Sequence, residues 1–226
     1  MPRKDYQAKL EALREDVLYM SELVLDRVRM GQNALEQKDE ALAQEVIDND
    51  YEINDLYLDL ERDCVDLLAL QQPVAGDLRF IAASFKIITD LERIGDLATN
   101  LGEYTLDADR EMYPEVDIQA IGDDVVEMVE DAMVAFAEED PDRCVELADR
   151  DDDIDDRCSV ASQTVVRDLI EREIDDETSE QEVERIMADV SRMLLTIRDM
   201  ERIGDHAVNI AARTLYMIEN DDELIY

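Results

Sequence analysis

An eleven-residue segment, DLERIGDLATN (Asp90 to Asn100), returns 109 residues later as DMERIGDHAVN (Asp199 to Asn209), with eight of eleven positions identical. A fainter echo joins VIDNDYEIND (Val46 to Asp55) to LADRDDDIDD (Leu147 to Asp156). Duplication at this distance makes one kind of unit built twice the economical reading.

The unit is helical. Leu10, Leu13, Val17, Met20 and Val24 recur at three- and four-residue steps, as an amphipathic helix requires, and no period-2 run appears. Pro2, Pro73, Pro114 and Pro141 fall where helices would break. Capping chemistry agrees: Asp39 precedes a helix, Asp140-Pro141 pairs an N-cap with a first-turn proline, and Ser179-x-x-Glu182 has the form of a capping box. The spacing predicts six long helices, at about 4–36, 40–71, 74–106, 115–138, 141–173 and 180–219. The expected fold is all-α: two similar three-helix bundles over 1–110 and 111–226, joined through 107–114.

Composition narrows the function. The chain carries 61 acidic and 22 basic residues, a formal charge of −39. Such a chain repels phosphate backbones and anionic membrane surfaces, so neither nucleic acid nor a lipid surface is an expected partner. No apolar run is long enough for bilayer insertion, and no hydrophobic segment follows Met1-Pro2-Arg3-Lys4, so a cytoplasmic protein is expected. With 46 % hydrophobic residues the chain can build a core. Its 18 Arg against 4 Lys, on an acid-loaded surface, resemble a protein of a high-salt cytoplasm. Cys64, Cys144 and Cys158 have no ligand spacing and are expected to pack as reduced thiols.

Four acids stand where the apolar stripes call for core residues. Glu92 follows Ile81, Phe85 and Ile88; Glu201 follows Leu194 and Ile197; Asp50 sits between Val46 and Ile53; Asp151 sits between Leu147 and Ile154. Equal distance from a hairpin turn implies apposition. Asp50 and Glu92 centre on residue 71, in a Gln71-Gln72-Pro73 turn; Asp151 and Glu201 centre on 176, in Asp175-Asp176-Glu177. One turn along each helix, about 6 Å away, stand Asn54, Asp96, Asp155 and Asp205, and Asn100 and Asn209 extend the row.

Apposed carboxylates held partly out of water cost several kcal/mol per ion unless compensated. A cation, an Arg partner or retained protons would each compensate. All-oxygen ligands suit hard ions such as Mg, Mn, Ca or Fe. Arg93 and Arg202 point about 100° from the acids beside them, which leaves Arg79 or Arg192 as pairing candidates. Mid-helix Gly95 and Gly204 suggest close backbone approach or an opening for ions. His206 adjoins Asp205, and with Leu97 as its counterpart it reads as a surface or packing residue before a ligand.

The run QQPVAGDLRFIAASFKIITDLERIGDLATN, with its return as DMERIGDHAVNIA, resembles the PhoU family of phosphate-signalling regulators, and the resemblance covers essentially the whole chain. It implies tandem three-helix PhoU domains related by a pseudo-twofold axis. It also implies multinuclear iron or zinc on acidic-x-x-x-Asp motifs. Here these are Glu92 with Asp96, Glu201 with Asp205 and Asp151 with Asp155, whereas Asn54 replaces the second acid after Asp50. The implied role is negative regulation of phosphate uptake, acting with the ATPase of a phosphate ABC transporter and, in bacteria, a sensor kinase; homodimers are common in the family.

The main expectation is therefore a non-enzymatic, metal-bearing regulator of phosphate transport. One rival is a di-metal carboxylate oxidoreductase, although such bundles use Glu-x-x-His pairs and this chain has one histidine. Another is a metal-free helical adaptor whose acids pair with arginine.

Overall fold

A computed structural model describes residues 3–70, 73–107, 116–171, 179–222 and 224. These form α1 (Arg3–Gln37), α2 (Glu40–Asp48), α3 (Asp50–Leu70), α4 (Ala75–Leu106), α5 (Ile118–Glu138), α6 (Pro141–Glu171) and α7 (Glu180–Glu219), with no strand among the described residues. The fold is all-α, as expected. Most of the 107–114 junction, Gln71-Gln72 and Asp175-Asp176-Glu177 lie outside the described residues.

Helix ends follow local chemistry. Asp39 accepts from the backbone N–H of Ala41 and Leu42, both at 3.0 Å, and the Ser179 hydroxyl accepts from Glu182 N–H at 3.2 Å. Asp140 accepts from Arg143 N–H at 3.2 Å, and Asp117 from Ala120 N–H at 3.0 Å, so α5 starts three residues later than the spacing predicts. The predicted helix over 40–71 is two helices. At Asn49 the backbone leaves the α region (φ −101°, ψ 8°) and the side-chain amide donates to Glu45 O at 2.9 Å, competing with the helical ladder. Asp50 thus opens a new helix, and Asp151, its counterpart, lies inside the unbroken α6.

Helices α1 to α4 pack together, as do α5 to α7, and α4 lies against α7 while α1 lies against α5. One continuous hydrophobic core runs through both halves. The predicted α1 stripe (Leu10, Leu13, Val17, Met20, Val24) is buried throughout. The two helices that carry the repeated motif are central because each is apolar on more than one face. Ile88, Leu91 and Leu101 of α4, and Ile197, Ile203 and Ile210 of α7, are fully buried. All three cysteines are free and buried, and burial pushes the Cys64 and Cys158 thiols up to about 12, so they pack as small apolar groups. No helix among the described residues is long and apolar enough to cross a membrane.

Candidate metal centre

In the second half the carboxylates of Asp151, Asp155 and Asp205 each present an oxygen within 4.8 Å of the others. Helix α6 places the first two one turn apart, and α7 brings Asp205 across to them. Asp151 Oδ1 is buried and has no hydrogen-bond partner among the described residues. It lies 3.4 Å from where a Cβ on residue 204 would stand, so Gly204 leaves open the space next to this oxygen. Burial first, then the charges of Asp155 and Asp205, push the Asp151 carboxyl up to about 6. Burial also raises Glu201, with Asp155 and Asp205 adding to it, and raises Asp155, with Asp205 the first charge to add.

The pairing register differs from the one expected. Gly204 packs against Asp151 and Ile154, which centres the hairpin near 178, two residues beyond the predicted 176. Asp151 therefore faces Asp205, and Asp155 is the first charge felt by Glu201. In the first half Ile53 packs on Gly95, and Thr99 donates to Asp50 Oδ1 at 3.1 Å, which centres that hairpin near 74 instead of 71. The incoming helices are each preceded by an extended N-cap residue, Val74 (ψ 161°) and Ser179 (ψ 149°), which lengthens that side of the connection. Asp50 accordingly lies by Thr99 and Asp96, and Glu92 sits further along α4.

In the first-half row Asp50 finds partners within its own half. Asp50 accepts from Thr99 on one oxygen and from the Asn54 amide, at 2.7 Å, on the other. Glu92 and Asp96 are raised by burial first and by each other or Asp50 next, so negative charge is crowded here as well. Among the described residues, though, three acids converge only in the second half.

Arg93 and Arg202 offset part of the charge on Glu92 and Asp96 from a distance, but no arginine reaches either row directly among the described residues. None of Asp50, Glu92, Asp96, Asp151, Asp155, Glu201 and Asp205 has an ion pair within 4 Å among the described residues. Of the pairing candidates, Arg79 donates to Met217 O at 3.2 Å and Arg192 to Asp189 at 3.0 Å. Gly95 serves close approach, since a Cβ there would stand 3.0 Å from Ile53 Cδ1.

Asn100 and Asn209 do not join the rows. The Asn100 amide donates to Asp199 Oδ2 at 3.0 Å, and the Asn209 amide reaches Asp90 Oδ1 at a longer 3.5 Å. Each motif asparagine thus clasps the opening aspartate of the other motif. Asp199, fully buried, also accepts from the Tyr104 hydroxyl at 2.8 Å and pairs with Arg198 and Arg202 at 3.2 and 3.5 Å. His206 is buried, which selects packing over a surface position, and its Nδ1 lies 2.9 Å from Asp90 Oδ1. Sequence reasoning passed over Asp90 and Asp199 as stabilisers of the α4–α7 contact. Their signal was present: both are identical first residues of the repeat, on the helix face about 160° from Glu92 and Glu201.

The second-half residues fit a cation on the structure's own terms: a partnerless buried carboxylate oxygen, open space beside it, and three convergent acids with no arginine. Asp151, Asp155 and Asp205, with Glu201 adjacent, would hold the ion, which would supply the positive charge that these acids otherwise lack.

A PhoU domain model matches residues 17–105 and 118–214. The chain is 35 % identical over 222 residues to the phosphate-specific transport system accessory protein PhoU homolog of Pseudomonas putida, covering 97 % of this chain and 82 % of that protein. It is 34 % identical over 220 residues to homolog 1 of Methanothermobacter thermautotrophicus, covering 96 % and 95 %. The crystal structure of PhoU from Pseudomonas aeruginosa superimposes with a TM-score of 0.85 at 32 % identity, covering 96 % of this chain and 100 % of that one. The phosphate transport system regulatory protein PhoU of Streptococcus pneumoniae gives 0.83 at 26 %, covering 96 % and 98 %. With the repeat, the helical architecture and these likenesses in agreement, the chain belongs to the PhoU family.

Proposed function

We propose that this protein is a non-enzymatic regulator of phosphate uptake and phosphate-responsive signalling. In this reading it carries a metal ion or small cluster on Asp151, Asp155, Glu201 and Asp205 and docks on the ATPase of a phosphate ABC transporter. The observation that carries the metal part is the partnerless, buried Asp151 Oδ1 facing Asp155 and Asp205. The regulatory part rests on the relatives, which are named as accessory or regulatory proteins of phosphate transport. Iron or zinc suits the family resemblance, and the oxygen donor set also admits Mg, Mn or Ca. The first-half row, with Asn54 and Thr99 donating hydrogen bonds to the two oxygens of Asp50, binds more weakly or takes a different ion. A transporter ATPase as partner places the protein in the cytoplasm, with a sensor kinase as a second partner where one exists and a homodimer as a compatible state.

Against the oxidoreductase alternative stands the single histidine, whose Nδ1 lies 2.9 Å from Asp90 Oδ1. Against the arginine-clasped adaptor stands the lack, among the described residues, of an arginine acting on Asp151, Asp155 or Glu201. The test is elemental analysis of protein purified without chelator, followed by co-purification with the transporter ATPase before and after metal removal. Stoichiometric metal that is lost in Asp205→Asn, together with ATPase capture, supports the reading. Metal-free protein sinks the first part, and failure to capture the ATPase under any metal condition sinks the second.

A further inference from the structure

The outward face of α3 carries an apolar stripe that no part of the described chain covers. Tyr51, Leu58 and Val65 are 59 %, 43 % and 52 % exposed, and Leu68 is 42 % exposed. Residues seven apart fall within about 20° of one another on a helix, so the first three form a line. That line lies opposite the face that buries Ile53, Leu60, Cys64 and Leu67. From Tyr51 to Val65 it runs about 21 Å, roughly four helical turns, and Leu68 lies about 60° to one side of it. Asp55 and Arg62 sit between Tyr51, Leu58 and Val65 on the same face, so the surface alternates apolar anchors with charged side chains.

Charge beside the stripe selects the occupant. Asp55, Asp59 and Asp66 are exposed along one flank, where the only cation among the described residues of α3 is Arg62, paired with Asp59 at 2.7 Å. A second copy apposed through this same face would bring an equal row of aspartates against it. A neutral helix would leave the acids without a counterpart.

We propose that this face of α3 docks a cationic amphipathic helix of a partner protein, whose apolar side covers Tyr51, Leu58, Val65 and Leu68 and whose Lys or Arg side chains meet the flanking aspartates. This is helix-on-helix recognition with apolar anchors and a charged rim. It stands whether or not either carboxylate row holds a metal, and its test does not involve the transporter.

The probe is a labelled synthetic 18-residue helix with a leucine stripe flanked by lysines, titrated with the full chain by fluorescence anisotropy and compared with its glutamate-flanked counterpart. The lysine peptide binds and the glutamate peptide does not. Leu58→Ser with Val65→Ser removes exposed side chains without touching charge or core and weakens binding about tenfold or more. Asp55→Asn with Asp59→Asn and Asp66→Asn weakens it comparably. Val160→Ser, on the 63 % exposed Val160 of α6, leaves it unchanged. The proposal is overturned if the serine pair binds the lysine peptide as tightly as the parent, which would mean charge alone. It is equally overturned if Val160→Ser weakens binding as much, or if sedimentation shows self-association that the serine pair abolishes, which would make a second copy the occupant.

Discussion

Replacing Asp151 by asparagine removes one negative charge from the most crowded carboxylate cluster and keeps the side chain's shape. In the metal-free protein this substitution should stabilise the fold at neutral pH. The Asp151 carboxyl is pushed from its ordinary 3.8 up to about 6 by burial and by Asp155 and Asp205. Ionising it at pH 7 therefore costs the folded state about 3 kcal/mol if no solvent intervenes, at about 1.4 kcal/mol per tenfold. The cluster is open on one side, with Asp155 and Asp205 exposed, and screening reduces the cost to about 1–2 kcal/mol. A group whose folded-state value is raised contributes stability that is complete below its unfolded value and is lost as pH rises through the folded one. The variant's advantage should therefore be largest at pH 7 and above, shrink through pH 6 and vanish near pH 4. In thermal melts monitored by circular dichroism, with chelator present, the gain at pH 7 corresponds to about 2–8 °C. Added metal should reverse the order, because the parent gains binding energy that the variant has given up. A variant less stable than the parent at pH 7 without metal, or a difference that does not change between pH 7 and 4, refutes the electrostatic reasoning.

Other substitutions separate packing from the site. Gly204→Ala should raise metal-free stability by about 0.5–1 kcal/mol through helix propensity, while its methyl, beside the open Asp151 oxygen, weakens metal binding in a calorimetric titration. Gly95→Ala should cost about 1 kcal/mol net, because its Cβ would press on the branched Ile53 at 3.0 and 3.2 Å; urea denaturation reads the difference. Tyr104→Phe withdraws a hydroxyl from the buried Asp199 and should cost about 1.5 kcal/mol in the same assay, near the lower end for a bond to a charged group, because Asn100 still donates to that oxygen.

Most of the fold could be read from periodicity and punctuation. The α1 stripe, the Asp39 and Ser179 caps and the placement of both motif helices are local matters, decided within a few residues of one another. The break at Asn49 was harder to see, since asparagine is tolerated in helices and only its amide's bond to Glu45 O exposes the interruption. The site was partly legible. An acid at a core step is visible in one dimension, so Asp50, Glu92, Asp151 and Glu201 stood out. Which acid faces which depends on the rise of each connection, and a shift of about a turn moved Asp151 opposite Asp205. The roles of Asn100 and Asn209 were not legible at all, because spacing along α4 and α7 places them in the rows and only the packing of the two helices turns their amides to Asp199 and Asp90. The same packing explains why two motif aspartates lie buried at a contact between repeats, a role that a motif read in isolation does not disclose.

Anomalous diffraction from crystals of protein purified without chelator, collected at the absorption edge of whatever metal elemental analysis finds, tests the account most directly. A peak bounded by the carboxylates of Asp151, Asp155 and Asp205, and absent from crystals of Asp151→Asn, is the predicted result. Density with no anomalous peak there, or with an arginine guanidinium filling that space, would contradict it.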